Sequence, residues 1–135
     1  MKVTGQCHCR AIEFEADIDP ERVVICHCTD CQVMSGTAYR VIAFTHAGAL
    51  KFTKGDPKIY TKTAESGNPR AQAFCDNCGS AIYASNTGDG PHSYGLRAGV
   101  IHQRAELKPK RQLWRRSALD WVNDLGAVPA IDKQA

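Results

Sequence analysis

No run of about 18 apolar residues occurs in this 135-residue chain, so no membrane-spanning helix is expected. The opening stretch, Met1-Lys2-Val3-Thr4-Gly5-Gln6, lacks the apolar segment of a secretory signal, so a cytoplasmic protein in a reducing environment is expected. There is no internal repeat and no low-complexity segment. Neither sign of charge dominates, with 17 Lys and Arg against 14 Asp and Glu, so no broad nucleic-acid-binding surface is expected. Helical periodicity is scarce, and short alternating runs punctuated by Gly and Pro take its place. These features predict one mostly-β domain over residues 1–135.

Cysteine is what the chain has in quantity. Seven are present, an odd count that cannot pair off internally, and a reducing compartment keeps thiols free. Clustered free thiols in that setting point to zinc, or less often to an iron–sulfur cluster. The formal charge of +3 treats every thiol as neutral. Seven thiolates and two zinc ions would together carry −3 and cancel it, which removes the basic pI as a nucleic-acid signal.

In order along the chain, Cys7-His8-Cys9 comes first, and an extended segment there would turn both thiols to one side. Ala11–Ala16 alternates as a half-buried strand, and Asp19-Pro20 is predicted to turn. Val23-Val24-Ile25 is a strand delivering Cys26-His27-Cys28-Thr29-Asp30-Cys31, three thiols in six residues. Further strands are expected over Thr37–Phe44, Leu50–Thr53, Lys58–Lys62, Ala81–Ala84, Ser93–Val100 and Leu113-Trp114. Lys54-Gly55-Asp56-Pro57 is a turn, and Ser66–Pro69 and Thr87–Pro91 are loops. Cys75-Asp76-Asn77-Cys78-Gly79-Ser80 has the zinc-knuckle pattern, in which a Gly-containing turn aims backbone amides at the sulfurs. One short helix is expected over Leu119–Gly126.

The cysteines fall into groups of two, three and two. A closed structural zinc takes four protein ligands, and a catalytic one takes three with a position left open. The simplest partition closes one site with Cys7, Cys9, Cys75 and Cys78, and leaves Cys26, Cys28 and Cys31 one ligand short. Spacing also allows the Cys75 and Cys78 pair to join the triple, or a histidine to complete a second closed site. His27 lies between two ligands and should point away from them, as should His8. His46, His92 and His102 are free in sequence to approach, and the bland reading of each is a loop residue. Three thiolates make an electron-rich zinc, poorly suited to acidifying water. They suit thiol chemistry better. A substrate thiol in the fourth position would stay nucleophilic as its thiolate and attack a small electrophile such as an aldehyde.

Gly5-Gln6-Cys7-His8-Cys9, the Cys26–Cys31 run with Ser35-Gly36, and Phe74-Cys75-Asp76-Asn77-Cys78-Gly79-Ser80 closely resemble the glutathione-dependent formaldehyde-activating enzyme family, whose domain also occurs in centromere protein V. The resemblance covers about residues 3–125 and includes all seven cysteines. It implies a β-tent fold of short antiparallel strands, a structural zinc at Cys7, Cys9, Cys75 and Cys78, and a catalytic zinc at Cys26, Cys28 and Cys31. It implies a carbon–sulfur lyase type of activity, joining glutathione and formaldehyde as S-hydroxymethylglutathione or reversing that step. A competing function, which the centromere-protein relatives suggest, is a zinc-stabilised binding module without catalysis. The chain departs from the family at Gln32, where members often carry Arg, and at Gly99-Val100-Ile101-His102-Gln103, where many continue Gly-Thr-Leu-Asp-Asp. Both departures are expected near the substrate pocket.

Glutathione is a net anion, so its pocket should offer cations. Arg40, Arg70 and Arg97 flank the motif strands and are candidates, although each reads first as a solvated surface charge. Lys108, Lys110, Arg111, Arg115 and Arg116 form the most basic segment, and acidic residues throughout the chain argue against a nucleic-acid partner. Trp114 and Trp121 are expected to pack against the core, and Asp30 to face solvent. The sequence indicates no oligomeric state.

Overall fold

Fourteen- and fifteen-residue strands form the spine of the fold in the computed structural model, which describes residues 1–134; Ala135, the last residue of the expected domain, lies outside the described residues. Strand β1 is Lys2–Gln6, β2 is Glu13–Cys26 and β3 is Arg40–Lys54. They are followed by β4 (Lys58–Thr63), β5 (Pro69–Phe74), β6 (Ala81–Asn86), β7 (Gly95–Arg97) and β8 (Arg111–Leu113). All eight belong to one sheet ordered β1-β2-β3-β7-β6-β5-β4. Every pairing on that path is antiparallel, and β8 runs parallel to the end of β2. The expected mostly-β fold is therefore present.

The expected turn at Asp19-Pro20 is absent, because β2 runs straight through it. The pairing with β3 breaks there, passing from Ile18↔Thr45 to Val23↔Ala43, so five steps on β2 match two on β3. Proline is tolerated at such an irregularity because no ladder donor is required of it. The strands expected over Thr37–Phe44 and Leu50–Thr53 are two ends of one strand, β3. The strand expected over Ser93–Val100 shrinks to β7, and Ala98–Val100 is a 3₁₀ turn that leads to an isolated bridge between Ile101 and Gly5. Gly5 has no room for a side chain, since a Cβ there would strike the Phe14 ring and the Val100 carbonyl. The helix expected over Leu119–Gly126 is a run of 3₁₀ turns over Asp120–Ala127, interrupted at Asp124.

The sheet buries its two faces unequally. Val3, Ile12, Phe14, Ile18, Val23, Ala43, Leu96 and Ile101 form the main core on one side. Val24, Cys26 and Ile42 form a smaller cluster on the other, flanked by Phe44, Leu113 and two more cysteines. Side chains alternate along a strand, so Val23 and Val24 must face opposite ways, as must Ile42 and Ala43. No helix of the described residues is long and apolar enough to cross a membrane. Trp114 and Trp121 are not core residues: they are 42% and 52% exposed, and Trp114 carries the Arg116 guanidinium 5.0 Å over its ring.

Candidate functional site

Two cysteine clusters form, in the simplest of the partitions the sequence allows. Cys7, Cys9, Cys75 and Cys78 place their sulfurs within 4.8 Å of one another, and Cys26, Cys28 and Cys31 do the same. Each can hold a metal ion.

The four-cysteine cluster joins the end of β1 to the β5–β6 turn. Cys7 and Cys9 do not meet through an extended segment, as expected, but through a tight turn in which the Arg10 amide donates to the Cys7 carbonyl at 3.2 Å. The Sγ atoms of Cys7 and Cys9 lie 3.6 Å apart, and those of Cys9 and Cys75 lie 3.7 Å apart. A tetrahedral zinc with bonds of about 2.3 Å sets its sulfurs about 3.8 Å apart, so the spacing fits. Backbone amides serve this cluster: Ile12 N–H donates to Cys7 Sγ at 3.3 Å, and Gly79 N–H closes the knuckle onto the Cys75 carbonyl at 2.8 Å. Gly79 sits at φ +78°, which this turn requires and other residues resist. Ser80 bonds the Cys78 sulfur at 3.2 Å and accepts from the His8 amide at 3.0 Å. The hydrogen bond with Ser80 is the leading reason that the Cys78 thiol is held down to about 5.

The three-cysteine cluster is built on a helix that the sequence reading missed. β2 ends at Cys26, and helix α1 (Thr29–Ser35) starts with Cys28 as its N-cap. The Cys28 sulfur accepts from the Cys31 amide at 3.2 Å, the role a Ser or Asp side chain usually takes. Asp30 in the first turn and Gly36 in a left-handed C-cap were the available signals. The thiol hydrogen bond from Cys31 outweighs burial and holds Cys26 down to about 5. The same contact, together with burial, pushes Cys31 far up. Without a counter-cation the three thiols cannot all ionise, and a divalent cation would relieve that conflict. The donor set therefore fits a thiophilic metal. No fourth Cys, His, Asp or Glu joins this cluster among the described residues.

The histidines stand apart from both clusters. His27 is buried just after β2, bonds Gln112 Oε1 through Nε2 at 2.7 Å and packs edge-on against Tyr39. His102 bonds Thr4 Oγ1 and Gln6 Oε1, His92 bonds the Gly88 carbonyl, and His8 and His46 are exposed. Asp30 is 56% exposed, as expected, with Lys62 Nζ at 2.6 Å.

A cavity of about 650 Å³ lies between the clusters. Met34 and Ser35 of α1 wall one part of it, and Gly79 and Ser80 of the knuckle another. A narrower pocket of about 310 Å³ shares Met34, Gly79, Ala81, Arg40 and Arg97 with it. A further cavity of about 550 Å³ beside β1 takes no wall from either cluster. Arg40 and Arg97 correct the expectation of solvated charges, being 5% and 9% exposed. Arg40 is the cross-strand partner of Cys26, and directly paired residues share a sheet face. Arg97 pairs with Ile42, two residues from Arg40 and therefore on that same face. Burial, and then the Arg40 charge, pull Arg97 down to about 9. Arg70 is half-buried and bonds Asn86 Oδ1 at 2.6 Å.

The two departures from the family pattern make structural contacts. Gln32 donates to the His27 and Ser117 carbonyls at 2.9 and 3.0 Å, and so ties α1 to the segment after β8. His102 and Gln103 hold β1, and of the Gly99–Gln103 run only Gly99 lines the larger cavity.

Comparison with known proteins agrees with this architecture. A Schizosaccharomyces pombe protein named as an uncharacterized lyase is 26% identical over 97 residues, which are 72% of this chain and 66% of that protein. The chain thus spans just under two thirds of that curated relative's length. A crystal structure of a Rhodobacter sphaeroides protein, a structural-genomics target, superposes with a TM-score of 0.61 at 19% identity, covering 81% of this chain and 98% of that one, and shows the same fold. The family model described as glutathione-dependent formaldehyde-activating enzyme matches residues 2–117, which take in both cysteine clusters, the cavity between them and the whole sheet; the chain belongs to that family.

Proposed function

We propose that this chain is a zinc-dependent, carbon–sulfur lyase-type enzyme of one domain, joining glutathione or a related thiol to formaldehyde or a related small aldehyde, or reversing that step. The observation that carries the reading is the incomplete ligand set at Cys26, Cys28 and Cys31: three sulfurs within 4.8 Å, with no fourth donor beside them among the described residues and a cavity against the helix that bears Cys31. Zinc held there would supply a Lewis acid that favours the thiolate form of an incoming thiol. In the forward direction the substrate sulfur forms a bond to the aldehyde carbon, the carbonyl π pair moves to oxygen, and the proton lost by the thiol ends on that oxygen.

The chain's own residues position this chemistry. Helix α1 fixes Cys28 through the Cys31 amide, and Gln32 fixes α1. Cys7, Cys9, Cys75 and Cys78 would hold a second zinc with a structural role, which would clamp the end of β1 to the knuckle that walls the cavity. The family match and the lyase name of the yeast relative support an enzyme over a passive module.

The test is exchange NMR of formaldehyde and glutathione with the zinc-loaded protein. Faster exchange between free and S-hydroxymethyl glutathione, lost in Cys28→Ser, is the expected result. No acceleration with glutathione or with simpler thiols leaves the zinc-stabilised binding module as the function.

A further inference from the structure

Arg40 and Arg97 carry guanidiniums, which stay charged near neutral pH, and both are held out of water. A buried charge is costly unless an opposite charge offsets it. No carboxylate takes that part, because the ion pairs of the described residues use Asp17, Asp30, Glu21 and Glu65 with other partners. Arg97 gives Nη2 to Gln72 Oε1 at 2.8 Å, a neutral acceptor, and Arg97 Nε and Arg40 Nη2 have no hydrogen-bond partner. The anionic group in reach is the three-cysteine cluster. Arg40 pairs across the strands with Cys26, which sets their Cβ atoms about 5 Å apart on one face. Arg97 follows on that face through its pairing with Ile42. Burial and then the Arg40 charge lower Arg97, and the Cys31 and Cys26 thiols oppose them.

The formal charges match. Three thiolates around a divalent cation carry one net negative charge, and a thiolate in the fourth position makes it two, which two guanidiniums balance. The four-cysteine cluster settles its charge otherwise: Cys9 is exposed to water, and the Ile12 amide and the Ser80 hydroxyl form hydrogen bonds with its sulfurs. In the three-cysteine cluster Cys26 is buried, so charge added there is screened less by water and calls for a fixed counter-charge. We infer that Arg40 and Arg97 are positioning residues of the open metal centre, whose charge favours an anionic ligand over a neutral one in its fourth position. They act through the metal and its sulfurs, as outer partners that tune a metal site. The inference rests on the reading of Cys26, Cys28 and Cys31 as an open metal site, and it requires no particular thiol and no particular reaction.

Azide and imidazole separate this role from the lyase reading, since one is an anion, the other is neutral and neither is a thiol. Each is titrated into the cobalt-substituted full chain, and the visible bands of the three-cysteine site report binding. Arg40→Gln and Arg97→Gln should each lower the ratio of azide to imidazole affinity about tenfold, by weakening azide, while the bands of the four-cysteine cobalt stay in place. Arg40→Lys and Arg97→Lys keep the charge and lose the fork, so they should hold the parent ratio within about threefold; they carry the test where a Gln variant fails to fold. No azide response in the parent, a ratio unchanged in both Gln variants, or a ratio lost in both Lys variants overturns the proposal. Azide binding with this arginine dependence, in a protein that does not respond to thiols, sinks the lyase reading and leaves the counter-charge role standing. A thiol response beside an unaltered azide ratio does the reverse.

Discussion

The two cysteine clusters use the same ligand atom to opposite ends. The cluster of four ties distant parts of the chain, with Cys7 and Cys9 after β1 and Cys75 and Cys78 between β5 and β6. The cluster of three is local, drawn from the end of β2 and the first turns of α1. A metal in the first closes a long loop and is coupled to the fold. A metal in the second closes only six residues of chain and keeps a position free. Burial does not follow that division: Cys7 and Cys75 are sealed in the main core but Cys9 is exposed, and Cys26 is buried while Cys28 and Cys31 are partly open. On the function proposed above, one cluster serves stability and the other chemistry.

The sharpest way to break this comparison is to remove one ligand from each. Cys75→Ser should cost several kcal/mol of a site worth about 10 kcal/mol, leaving the protein unfolded or melting far below the parent in a thermal scan. Cys28→Ser should remain folded, with one zinc lost in metal analysis and no activity. A folded Cys75→Ser beside an unfolded Cys28→Ser would reverse the roles. A smaller contrast should appear under a chelator. Zinc should leave in two phases, the three-cysteine cluster emptying about tenfold faster or more, because it lacks a fourth protein ligand. A single phase would make the sites equivalent. The smallest effect is expected at Gln32→Ala, which removes two hydrogen bonds to backbone carbonyls and should cost about 1–2 kcal/mol, read as a modest drop in melting temperature. The loss should fall on the α1 side, slowing exchange chemistry while the four-cysteine metal stays in place.

The partition of cysteines was legible because counting constrains it: four and three are what closed and open zinc sites need. Alternating runs such as Lys58–Lys62 were legible for the same local reason, and β4 covers Lys58–Thr63. What was hidden depended on partners distant in sequence. Pro20 reads as a turn, yet β2 continues because β3 slips register beside it. Helix α1 is too short to show a period, and its cap is a cysteine whose other use dominated the reading. Arg40 and Arg97 read as surface charges by the usual rule for arginine. Only the pairings Cys26↔Arg40 and Ile42↔Arg97 reveal that they share the buried face with the open cluster.

The central claim is that the Cys26, Cys28 and Cys31 site accepts a substrate thiol and the other site does not. Cobalt-substituted protein tests this directly, because the visible bands of cobalt report sulfur coordination at each site. Addition of a small thiol should change the spectrum of one cobalt, with a saturable titration that vanishes in Cys28→Ser. Spectra indifferent to thiol at both sites, or a response that survives Cys28→Ser, would contradict the account.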